Sequence, residues 1–362
     1  MIQEFPHFPQ GKAAIFSAPG SPFKLINGEV PALSEGEILV KNLYTTICGS
    51  DVHTYCGHRK EPDNVVLGHE IVGDILWHHP SAQIKDLNGN STNTGDRIVW
   101  SIFAAPPTSV PPHPDMPQKS AGLFKYGHAP AAGNDIFNGG LADYCILKSN
   151  TAFLKISKDI PLKVAATISC AHSTVAGALR IAGEIKDKRI IIFGAGLLGL
   201  SCSAMCREAG AKNVVLVDTD ESRLKWHNSF GADEGMLFAD IQSGTKQTEG
   251  DIIFDITGHP EAMKTGIDCL CLGGYAIWIG AVFPANAVQV DAEKIVRKLL
   301  TIRGLHNYNY QDFIAATSFV ERFYQQYPFE QLVEKEFTLD DVEEAFGFAA
   351  NQKPVRAGVK IS

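Results

Sequence analysis

The pattern of apolar and polar positions changes near residue 160. Between Ala13 and about Leu154, short runs alternate apolar and polar residues, and Gly, Pro, Asn or Asp bounds each run, as in EILVKNLYTTI, EIVGDIL and DRIVWSI. This alternation is typical of strands that are buried on one face. The first part of the chain is therefore predicted to be an antiparallel sheet domain.

After Lys163, continuous apolar blocks alternate with segments of helical periodicity. The blocks are RIIIFGAG, NVVLVD, DIIFDITG and GGYAIWIGA, and the helical segments include LLGLSCSAMCREAG and AMKTGIDCL. Strands buried on both faces and separated by helices are typical of a parallel, doubly wound sheet. The tail from Asp312 is predicted to be helical and to close on a strand in AGVKIS.

A proline-rich tract, PPTSVPPHPDMPQKSAGLFKYGHAP, occupies residues 106–130. Its prolines exclude a regular helix or a central strand, so the tract is predicted to be a surface lobe or lid. The length of 362 residues favours two domains.

Composition narrows the functional classes. A formal charge of -8 argues against a broad nucleic-acid or anionic-membrane surface. No apolar run is long enough to span a bilayer, and the start of the chain has no secretory pattern, so a cytoplasmic location is predicted. In a reducing compartment the eight cysteines are core thiols or metal ligands.

A glycine motif follows the first apolar block of the second part. Gly194, Gly196 and Gly199 form G-x-G-x-x-G in RIIIFGAGLLGL, at the start of a helical pattern. The first glycine permits a tight turn, the second lets the backbone approach a pyrophosphate, and the third lets the helix pack on the strand. Free N–H groups at the start of the helix would bind the phosphates. The motif therefore predicts a dinucleotide site.

The next apolar block, NVVLVD, ends on Asp218, at about the 20-residue offset of a ribose-binding acid. Its carboxylate would accept hydrogen bonds from both ribose hydroxyls of the adenosine and would repel a 2′-phosphate. The predicted cofactor is NAD rather than NADP.

Residues 45–73, TTICGSDVHTYCGHRKEPDNVVLGHEIVG, are rich in metal-binding side chains. Cys48 follows a strand pattern, His69 lies in GHE, and Cys170 lies in ISCAHSTVAGAL, just before the dinucleotide motif. Each residue alone is more simply a buried thiol or a hydrogen-bonded polar group. Together, two thiolates and one imidazole are typical of a catalytic zinc with one open position.

Six motifs occur along the chain in the order ICGSDVH, LGHEIVG, GDRIV, CAHSTVAGAL, GAGLLGL and VDTDESRL. On these motifs, nearly the whole chain resembles the medium-chain, zinc-dependent alcohol and polyol dehydrogenases. The resemblance implies an α/β protein with a GroES-like antiparallel β domain at 1–170, a Rossmann domain at 171–303, and a return to the first domain at 304–362. It also implies hydride transfer between an alcohol, or its aldehyde or ketone, and NAD.

The resemblance assigns the zinc site residue by residue. Cys48, His69 and Cys170 match the three ligands, and Glu70 matches an acid that visits the metal during ligand exchange. Asp51 matches the carboxylate that orients the metal-bound imidazole, as a neighbouring acid does at many metal sites.

The resemblance also implies a proton relay and a cofactor site. Ser50 and His53 match the relay that conducts the alcohol proton to solvent, and imidazole suits this role because it titrates near neutrality. The positions matched to cofactor binding are Thr174, Gly194, Gly196, Leu197, Leu198, Gly199, Asp218, Arg223, Ile279, Gly280 and Ala281.

One departure from the family concerns a second metal. Many relatives carry a structural zinc on a lobe with four closely spaced cysteines, but no cysteine lies between Cys56 and Cys145, where the proline-rich tract stands. One catalytic zinc and no structural zinc are therefore predicted, with prolines and packing holding the lobe. The cysteines predicted to be core or structural are Cys56, Cys145, Cys202, Cys206, Cys269 and Cys271.

The stretches YCGHRKEP and IRGLHNYNY resemble a subgroup associated with phosphonate metabolism. This resemblance implies a small alcohol with an anionic tail, and Arg59, Lys60 and His306 are candidates to bind that tail. The simpler interpretation of His58, Arg59 and Lys60 is a solvated turn. An uncharged polyol, suited to the amide and phenol groups of LHNYNY, is the alternative substrate.

The predicted partners are a small-molecule alcohol or carbonyl compound and further copies of the chain. The run GGYAIWIGAVFPANAVQVDAEKIVRKLL predicts a strand and a further short strand in AVQV, and in the resembling family such edge strands pair across a two-fold axis. A homodimer or homotetramer is expected. Two other classes are an NADPH-dependent quinone or enoyl reductase without metal and a non-enzymatic nucleotide-binding protein. The metal-ligand pattern together with Asp218 argues against the first class, and the intact ligand and relay positions argue against the second.

Overall fold

A computed structural model describes residues 9–78, 84–106, 109–111, 113, 115–133 and 135–361. The chain forms two compact units, of which the first comprises residues 1–170, 309–324 and 329–362 and the second comprises residues 171–308 and 325–328. Residues 304–308 thus fall in the second unit, whereas the resemblance groups them with the tail. The predicted domain limits remain predictions.

The chain up to Cys170 forms strands and short helices. The strands are β1 (Gln10–Ile15), β2 (Lys24–Glu29), β3 (Ile38–Ile47), β4 (Glu70–His78), β5 (Arg97–Ala104), β6 (Phe124–Lys125), β7 (Tyr144–Leu147) and β8 (Thr151–Lys155). The helices are α1 (Gly49–Tyr55), α2 (Leu162–Ala165) and two 3₁₀ turns, Pro117–Lys119 and Ala166–Ser169.

The second unit alternates strands and helices. Its strands are β9 (Arg189–Phe193), β10 (Asn213–Asp218), β11 (Glu234–Leu237), β12 (Gly250–Asp255), β13 (Leu270–Trp278) and β14 (Thr301–Gly304). Its helices are α3 (Ala171–Ala182), α4 (Leu197–Glu208), α5 (Glu221–Leu224), α6 (Phe238–Gln242), α7 (Pro260–Asp268), α8 (Ala292–Lys298) and the 3₁₀ turn Asn228–Phe230.

The tail belongs mainly to the first unit. Its elements are α9 (Tyr310–Phe323), the 3₁₀ turn Phe329–Leu332, β15 (Val333–Thr338), the 3₁₀ turn Leu339–Asp341, α10 (Val342–Gln352) and β16 (Arg356–Lys360). The closing strand predicted in AGVKIS is confirmed by β16.

The first unit has a two-stranded sheet, β1-β2, and an eight-stranded sheet of order β15-β16-β3-β4-β5-β6, with β7 on β3 and β8 on β5. All its strand pairs are antiparallel except β15-β16, which confirms the antiparallel prediction. Thr46 of β3 pairs with Glu70 of β4, and Ile47 pairs with Ala357 of β16. The end of β3 and the starts of β4 and β16 therefore meet in one place.

The second unit contains a six-stranded sheet of order β11-β10-β9-β12-β13-β14, and every pair in it is parallel. The residues Ile190–Phe193 of β9 are at most 1% exposed, as expected for a strand covered on both faces. In chain order this is the Rossmann sequence 3-2-1-4-5-6, which confirms the doubly wound prediction. The order reverses between β9 and β12, and ligands of such sheets bind at this point.

Two elements differ from the sequence prediction. The segment AVQV, residues 287–290, is not a strand, and β14 forms the edge of the sheet beyond β13 instead. A short apolar alternation forms a strand only where a neighbouring strand completes its hydrogen bonds, and among the described residues no strand pairs with AVQV. The tail contains the strand β15 between its helices, because VEKEFT pairs with β16.

The proline-rich tract is irregular, as predicted, over its described residues. It contains a 3₁₀ turn and the two-residue strand β6 at the edge of the eight-stranded sheet. Residues 107, 108, 112 and 114 of the tract lie outside the described residues.

Among the described residues, no single helix is long and apolar enough to cross a membrane, and one bent pair of helices, Leu162–Ser169 with Ala171–Ala182, has the length and composition of a span by those two properties only.

Candidate active site

Cys48 lies between the end of β3 and the start of α1. Its backbone is extended (φ −78°, ψ 158°), and it is the N-cap residue of α1. Its backbone N–H donates to Oδ2 of Asp51 at 2.9 Å, which completes a capping box. This cap fixes the entry of the chain into the helix, so the thiol, which is 7% exposed, has a defined position.

Asp51 links the cap of α1 to His69. Its carboxylate is fully buried, and Oδ1 lies 3.2 Å from Nδ1 of His69. Because Nδ1 faces the carboxylate, Nε2 is the ring nitrogen that remains for a metal. The hydroxyl of Ser50 lies 3.4 Å from this Nε2.

Cys48, His69 and Cys170 bring one ligand atom each to within 4.8 Å of one another. Cys170 directly follows the 3₁₀ turn Ala166–Ser169, which packs on β4 and β5. Two thiols and one imidazole are the donor set of many catalytic zinc sites, and the carboxylate behind the imidazole is the usual outer partner. The residues present fit zinc.

The electrostatics of the three residues also suit a cation. The thiol of Cys170 donates to Cys48 and holds the pKa of Cys48 well below the ordinary thiol range, with Arg356 and His69 acting in the same direction. The pKa of Cys170 is raised by the same interaction. Burial disfavours charge on His69, but the carboxylate of Asp51 outweighs burial and raises the pKa of the imidazole. The site therefore favours one thiolate, which is the form that binds metal.

Arg356 belongs to this site, and no sequence signal indicated it. Its Nε and Nη2 lie 3.0 and 3.2 Å from the two carboxylate oxygens of Glu70, and Nη2 lies 3.7 Å from Sγ of Cys48. Arg356 stands 286 residues from Glu70 in the chain. Only the pairing of β16 with β3 brings the guanidinium to the site. Arg356 could have been found only by predicting which strands pair, because no local motif marks it.

Glu70 is fully buried beside the three candidate ligands. Its carboxylate accepts hydrogen bonds from Arg356 and from the hydroxyl of Thr46. Burial raises the pKa of Glu70, although Arg356 acts in the opposite direction. Glu70 is not in the group of converging ligand atoms, which come from Cys48, His69 and Cys170. The role of Glu70 as an occasional metal ligand therefore stays a prediction.

Helix α1 carries both predicted relay residues. Ser50 and His53 are three residues apart and therefore share one face of the helix. Burial lowers the pKa of His53, and the neighbouring His58, whose ring centroid lies 5.8 Å away, lowers it further. A neutral imidazole at this position is ready to accept a proton.

A second polar group, Arg59, Glu61 and His128, lies beside His69. The ring of His128 is 5.0 Å from that of His69, and Oε1 of Glu61 is 3.1 Å from Nδ1 of His128. The same oxygen lies 2.9 Å from Nε of Arg59. The prediction of a solvated turn is wrong for Arg59, whose side chain is only 24% exposed, because the nearly buried carboxylate of Glu61 needs a cation.

The glycine motif lies between β9 and α4, as the sequence predicts. Gly194 has φ +108°, and Gly196 is the N-cap of the twelve-residue helix α4. A Cβ at Gly199 would stand 1.7 Å from the carbonyl oxygen of Gly194, so no other residue fits there. The turn thus exposes the free N–H groups of α4 at the switch point of the sheet.

Asp218 ends β10 beside this turn. Its carboxylate accepts hydrogen bonds from the backbone N–H groups of Ala195 at 2.6 Å and Asp220 at 2.9 Å. A cavity of about 330 Å³ opens here and is lined by Phe193, Gly194, Val217, Asp218, Thr219, Phe238, Thr257, His259 and Ala262. A largely apolar cleft with one carboxylate at its wall suits an adenosine.

The remaining predicted cofactor positions all lie in the second unit. Thr174 is on α3, Leu197 and Leu198 begin α4, Arg223 is on α5, and Ile279, Gly280 and Ala281 follow β13. A Cβ at Gly258 would lie 2.4 Å from the carbonyl oxygen of Gly280, so the loops after β12 and β13 are in contact. These two loops stand at the carboxyl ends of neighbouring strands, where dinucleotides bind in this fold.

The cysteines outside the site divide into two groups. Cys145, Cys202, Cys206 and Cys269 are buried, as predicted. The prediction of a core position is wrong for Cys271, which is partly exposed and donates to Asp251 at 3.0 Å. Cys56, predicted to be structural, is exposed as the C-cap residue of α1.

Comparison with known families identifies both parts of the chain. A model of the alcohol dehydrogenase GroES-like domain matches residues 34–158, and a model of the zinc-binding dehydrogenase matches residues 198–322. The chain belongs to the zinc-dependent medium-chain dehydrogenases. The family is zinc-binding, has a nicotinamide cofactor, and consists of oxidoreductases.

Relatives of this medium-chain dehydrogenase span nearly its whole length. L-threonine 3-dehydrogenase of Shewanella frigidimarina is 24% identical over 333 residues, which are 89% of this chain and 91% of that protein. An alcohol dehydrogenase from Thermotoga maritima has the same fold, with a TM-score of 0.89, 24% identity, and coverage of 97% and 99% of the two chains. A protein of Sinorhizobium meliloti described as a zinc-binding dehydrogenase, solved with NADP, has a TM-score of 0.83, 18% identity, and coverage of 98% and 100%.

Proposed function

We propose that this dehydrogenase transfers a hydride between an alcohol, or its aldehyde or ketone, and NAD, with one zinc ion held by Cys48, His69 and Cys170. The observation that carries the proposal is the convergence of the three ligand atoms to within 4.8 Å, next to an imidazole backed by Asp51. When bound, zinc supplies Lewis acidity to the substrate oxygen, and NAD accepts the hydride.

The side chains of α1 and its neighbours move the proton. Asp51 holds the His69 ring with Nε2 toward the thiols, and Ser50 lies 3.4 Å from that nitrogen. The Ser50 hydroxyl is therefore placed to take the proton of the substrate alcohol. His53, on the same helix face and neutral because burial lowers its pKa, accepts the proton from Ser50. The opposite charges of Arg356 and Glu70 balance each other next to the thiolate of Cys48.

The preference for NAD rests on Asp218. The fold alone does not decide the cofactor, since one solved neighbour binds NADP. The carboxylate of Asp218 is fixed at the end of β10 by two backbone donors, where it meets the ribose of a dinucleotide in this fold. Wild-type protein should have a higher kcat/KM with NAD, and Asp218→Gly should bring the two cofactors closer. A wild-type preference for NADP would contradict the proposal.

The activity itself is tested by NADH formation over a panel of neutral alcohols, polyols and L-threonine. About one zinc per chain is expected by mass spectrometry, because one ligand set is proposed. Removal of zinc by a chelator should abolish turnover, and added zinc should restore it. Full activity in the metal-free protein would refute the zinc proposal, and no turnover of any alcohol by the zinc-loaded protein would refute the dehydrogenase proposal.

We also propose that two copies associate along the β14 edge of the second sheet. Exposed apolar side chains on β13, the neighbour of β14, and on α8, which packs on β13, support the proposal, and they are Leu272, Val296 and Leu299. An open strand edge beside apolar side chains favours pairing with a second copy. Light scattering should report a dimer or larger assembly, and Val296→Lys should shift it toward monomer. A monomeric wild type at micromolar concentration would count against the proposal.

A further inference from the structure

A buried carboxylate, that of Asp255, ends β12 at the point where the order of the parallel sheet reverses. Asp255 is 1% exposed and pairs with Phe193 of β9 and with Trp278 of β13. Burial raises the pKa of Asp255 to about 6, because an ionised carboxylate loses its hydration there. A neutral side chain would fill the same space without that cost. A carboxyl group kept at such a cost in a ligand-binding region is a candidate for a functional role.

The side chain of Asp255 fixes the loop that follows β12. Its Oδ1 accepts a hydrogen bond from the backbone N–H of Gly258 at 2.8 Å, and its Oδ2 accepts one from the hydroxyl of Thr257 at 2.9 Å. The hydroxyl of Thr257 in turn accepts from the backbone N–H of His259 at 3.0 Å. One carboxylate thus holds three consecutive residues. An ionised carboxylate suits this task because it only accepts, and both groups that face it donate.

The backbone of Asp255 fixes the loop that follows β13. Its carbonyl oxygen accepts from the N–H groups of Ile279 at 3.0 Å and Gly280 at 3.2 Å. A Cβ at Gly280 would stand 2.3 Å from the backbone nitrogen of Gly258 and 2.4 Å from the carbonyl oxygen of Ile256. Gly280, a predicted cofactor position, therefore packs directly on the turn that the carboxylate of Asp255 holds.

Thr257 extends these contacts to the glycine motif. A Cβ at Gly194 would stand 3.2 Å from Cγ2 of Thr257, so the methyl group of Thr257 lies against the first glycine of the motif. Thr257 also lines the cavity of about 330 Å³ together with Asp218. The loops after β9 and β13 both carry predicted cofactor positions. Both therefore contact the turn that Asp255 holds.

We propose that ionised Asp255 is a positioning residue for the nicotinamide cofactor, because its carboxylate sets the turn 256–259 on which the neighbouring cofactor loops pack. The inference rests on the proposed dehydrogenase function and concerns its cofactor affinity. Cofactor binding that orders these loops strengthens the hydrogen bonds to the carboxylate and so favours its ionised form. Cofactor affinity should therefore be complete above the pKa of Asp255 and fall as pH drops below about 6.

The charged groups around Asp255 leave this titration readable. His259, on the same loop, is the charge that acts on Asp255, and it lowers the pKa of the carboxyl. The neighbouring strands face Asp255 with the side chains of Phe193 and Trp278. The other titratable residues of β9, β12, β13 and α7 lie nearer the opposite ends of the strands or at the surface, and they are Arg189, Asp251, Cys271, Tyr275, Glu261, Lys264 and Asp268.

Calorimetric titration with NAD tests the role directly. Asp255→Asn keeps the size of the side chain but offers one acceptor, so at neutral pH it should weaken NAD binding about tenfold, the effect of a lost charge-assisted hydrogen bond. Asp251→Asn is the matched control, because Asp251 lies at the other end of β12, and it should leave the Kd unchanged. Unchanged affinity in Asp255→Asn, or an equal loss in both variants, would overturn the proposal.

A pH profile distinguishes positioning from a general structural defect. The Kd of wild type should rise roughly fivefold between about pH 7 and about pH 5, and that of Asp255→Asn should stay flat. His259→Gln should keep the rise, which excludes the imidazole as its source. Asp255→Asn should also keep its unfolding midpoint at neutral pH, since the amide carries no buried charge. A pH-independent loss of affinity with a lowered midpoint would leave Asp255 a structural role only.

A second variant acts on the same turn. Thr257→Val removes the hydroxyl that Asp255 holds and keeps a methyl group toward Gly194. It should weaken NAD binding, and combining it with Asp255→Asn should weaken binding by less than the product of the single effects, because both act through one turn. Effects that multiply fully would mean that the two residues act independently and would overturn the proposal.

The same titrations with NADP separate this inference from the proposed function. Wild type that binds NADP in preference to NAD would reject the NAD preference, and the Asp255→Asn comparison with NADP would then decide the positioning role. No turnover of any alcohol, with normal dinucleotide binding, would reject the dehydrogenase function alone. Binding of neither dinucleotide by the zinc-loaded wild type would overturn the positioning role together with the cofactor site.

Discussion

The candidate zinc site and the dinucleotide site are built in opposite ways. The zinc site collects Cys48, His69, Cys170 and Arg356 from four distant segments of the chain. The glycine turn and the acid of the dinucleotide site come from one continuous stretch, β9 to β10, in which they stand in fixed order. A local unit can be recognised from a sequence motif, whereas a site assembled from distant segments depends on strand pairing.

The two sites also differ in where their charge lies. The zinc site buries ionisable groups, with Asp51, Glu70 and Arg356 at most 7% exposed. The dinucleotide site relies on backbone N–H groups and on Asp218, which is only half-buried. Changes at the zinc site should therefore cost both metal and stability, while changes at the glycine turn should mainly cost cofactor affinity.

The largest effect is expected from Cys48→Ala. Loss of a ligand should remove zinc and lower turnover by more than the roughly 100-fold that loss of an outer partner costs. NAD binding should persist, because the dinucleotide site lies in the other unit. Mass spectrometry measures the zinc content of the variant, and calorimetry measures its affinity for NAD. Cys145→Ala, a buried thiol in the same unit but outside the site, is the control and should retain zinc.

Arg356→Met should be the most destabilising charge removal. It leaves the buried carboxylate of Glu70 without its cation, at a cost of about 3–5 kcal/mol in the free energy of unfolding. Arg189→Met is the matched control, because Arg189 also forms ion pairs, with Glu249 and Asp251, but at the surface, where an ion pair contributes about 0–1 kcal/mol. Urea unfolding measures the free energy of unfolding of both variants. Adding Glu70→Gln to Arg356→Met should recover part of the stability that Arg356→Met loses. Equal losses of unfolding free energy in the two arginine variants would contradict the expected difference between the buried and the surface ion pair.

Asp255 provides a pH test in the second unit. It ends β12 and is 1% exposed, and burial raises its pKa to about 6 from 3.8, against hydrogen bonds from Gly258 and Thr257. Because the folded pKa is the higher one, this contribution to stability is complete below pH 3.8 and is lost as pH rises to about 6. The loss should total about 3 kcal/mol, at 1.36 kcal/mol per pKa unit.

Stability curves of wild type and Asp255→Asn between these pH values should therefore differ in slope. Asp251→Asn is the control with the opposite sign, because its bond to Arg189 holds the pKa of Asp251 below the ordinary range. The stability that Asp251 contributes should be complete above pH 3.8 and lost as pH falls below that value, so Asp251→Asn should leave the slope between pH 3.8 and about 6 unchanged. Parallel curves for wild type and Asp255→Asn would show that the buried carboxyl does not titrate in this range.

The smallest expected effect distinguishes the role of Asp51 as a cap of α1 from its role as the partner of His69. Asp51→Ala removes a capping bond of α1 and the partner of His69, while Asp312→Ala removes the equivalent capping bond of α9, and the candidate metal ligands found among the described residues are not on α9. Both should lower stability by about 0.5–2 kcal/mol. Only Asp51→Ala should weaken zinc binding, by roughly 10- to 100-fold, in competition with a chelating dye. Equal zinc affinities would mean that the Asp51–His69 contact does not serve the metal.

The sequence predicted those features that depend on neighbours in the chain. Gly194, Gly196 and Gly199 could be placed because their spacing reflects one turn, and both sheet types followed from apolar periodicity. The convergence of Cys48 and Cys170 was expected from the types of their side chains and from resemblance to a family, without a local spacing motif that joins them. Arg356, strand β15 and the ion pair of Arg59 were missed because each depends on a partner that no local pattern names. The prediction of a strand in AVQV was wrong for the same reason.

The pairing of β16 with β3 also bears on the order of folding. Ile47 and Ala357 are neighbours in the sheet, although the whole second unit lies between them in the chain. Closing so long a loop costs more conformational entropy than forming the sheet of the second unit, whose strands follow one another closely. The second unit is thus free to fold first. The carboxylate of Glu70 then acquires its guanidinium only when the long loop closes, so the charge balance around Cys48 is a late product of folding.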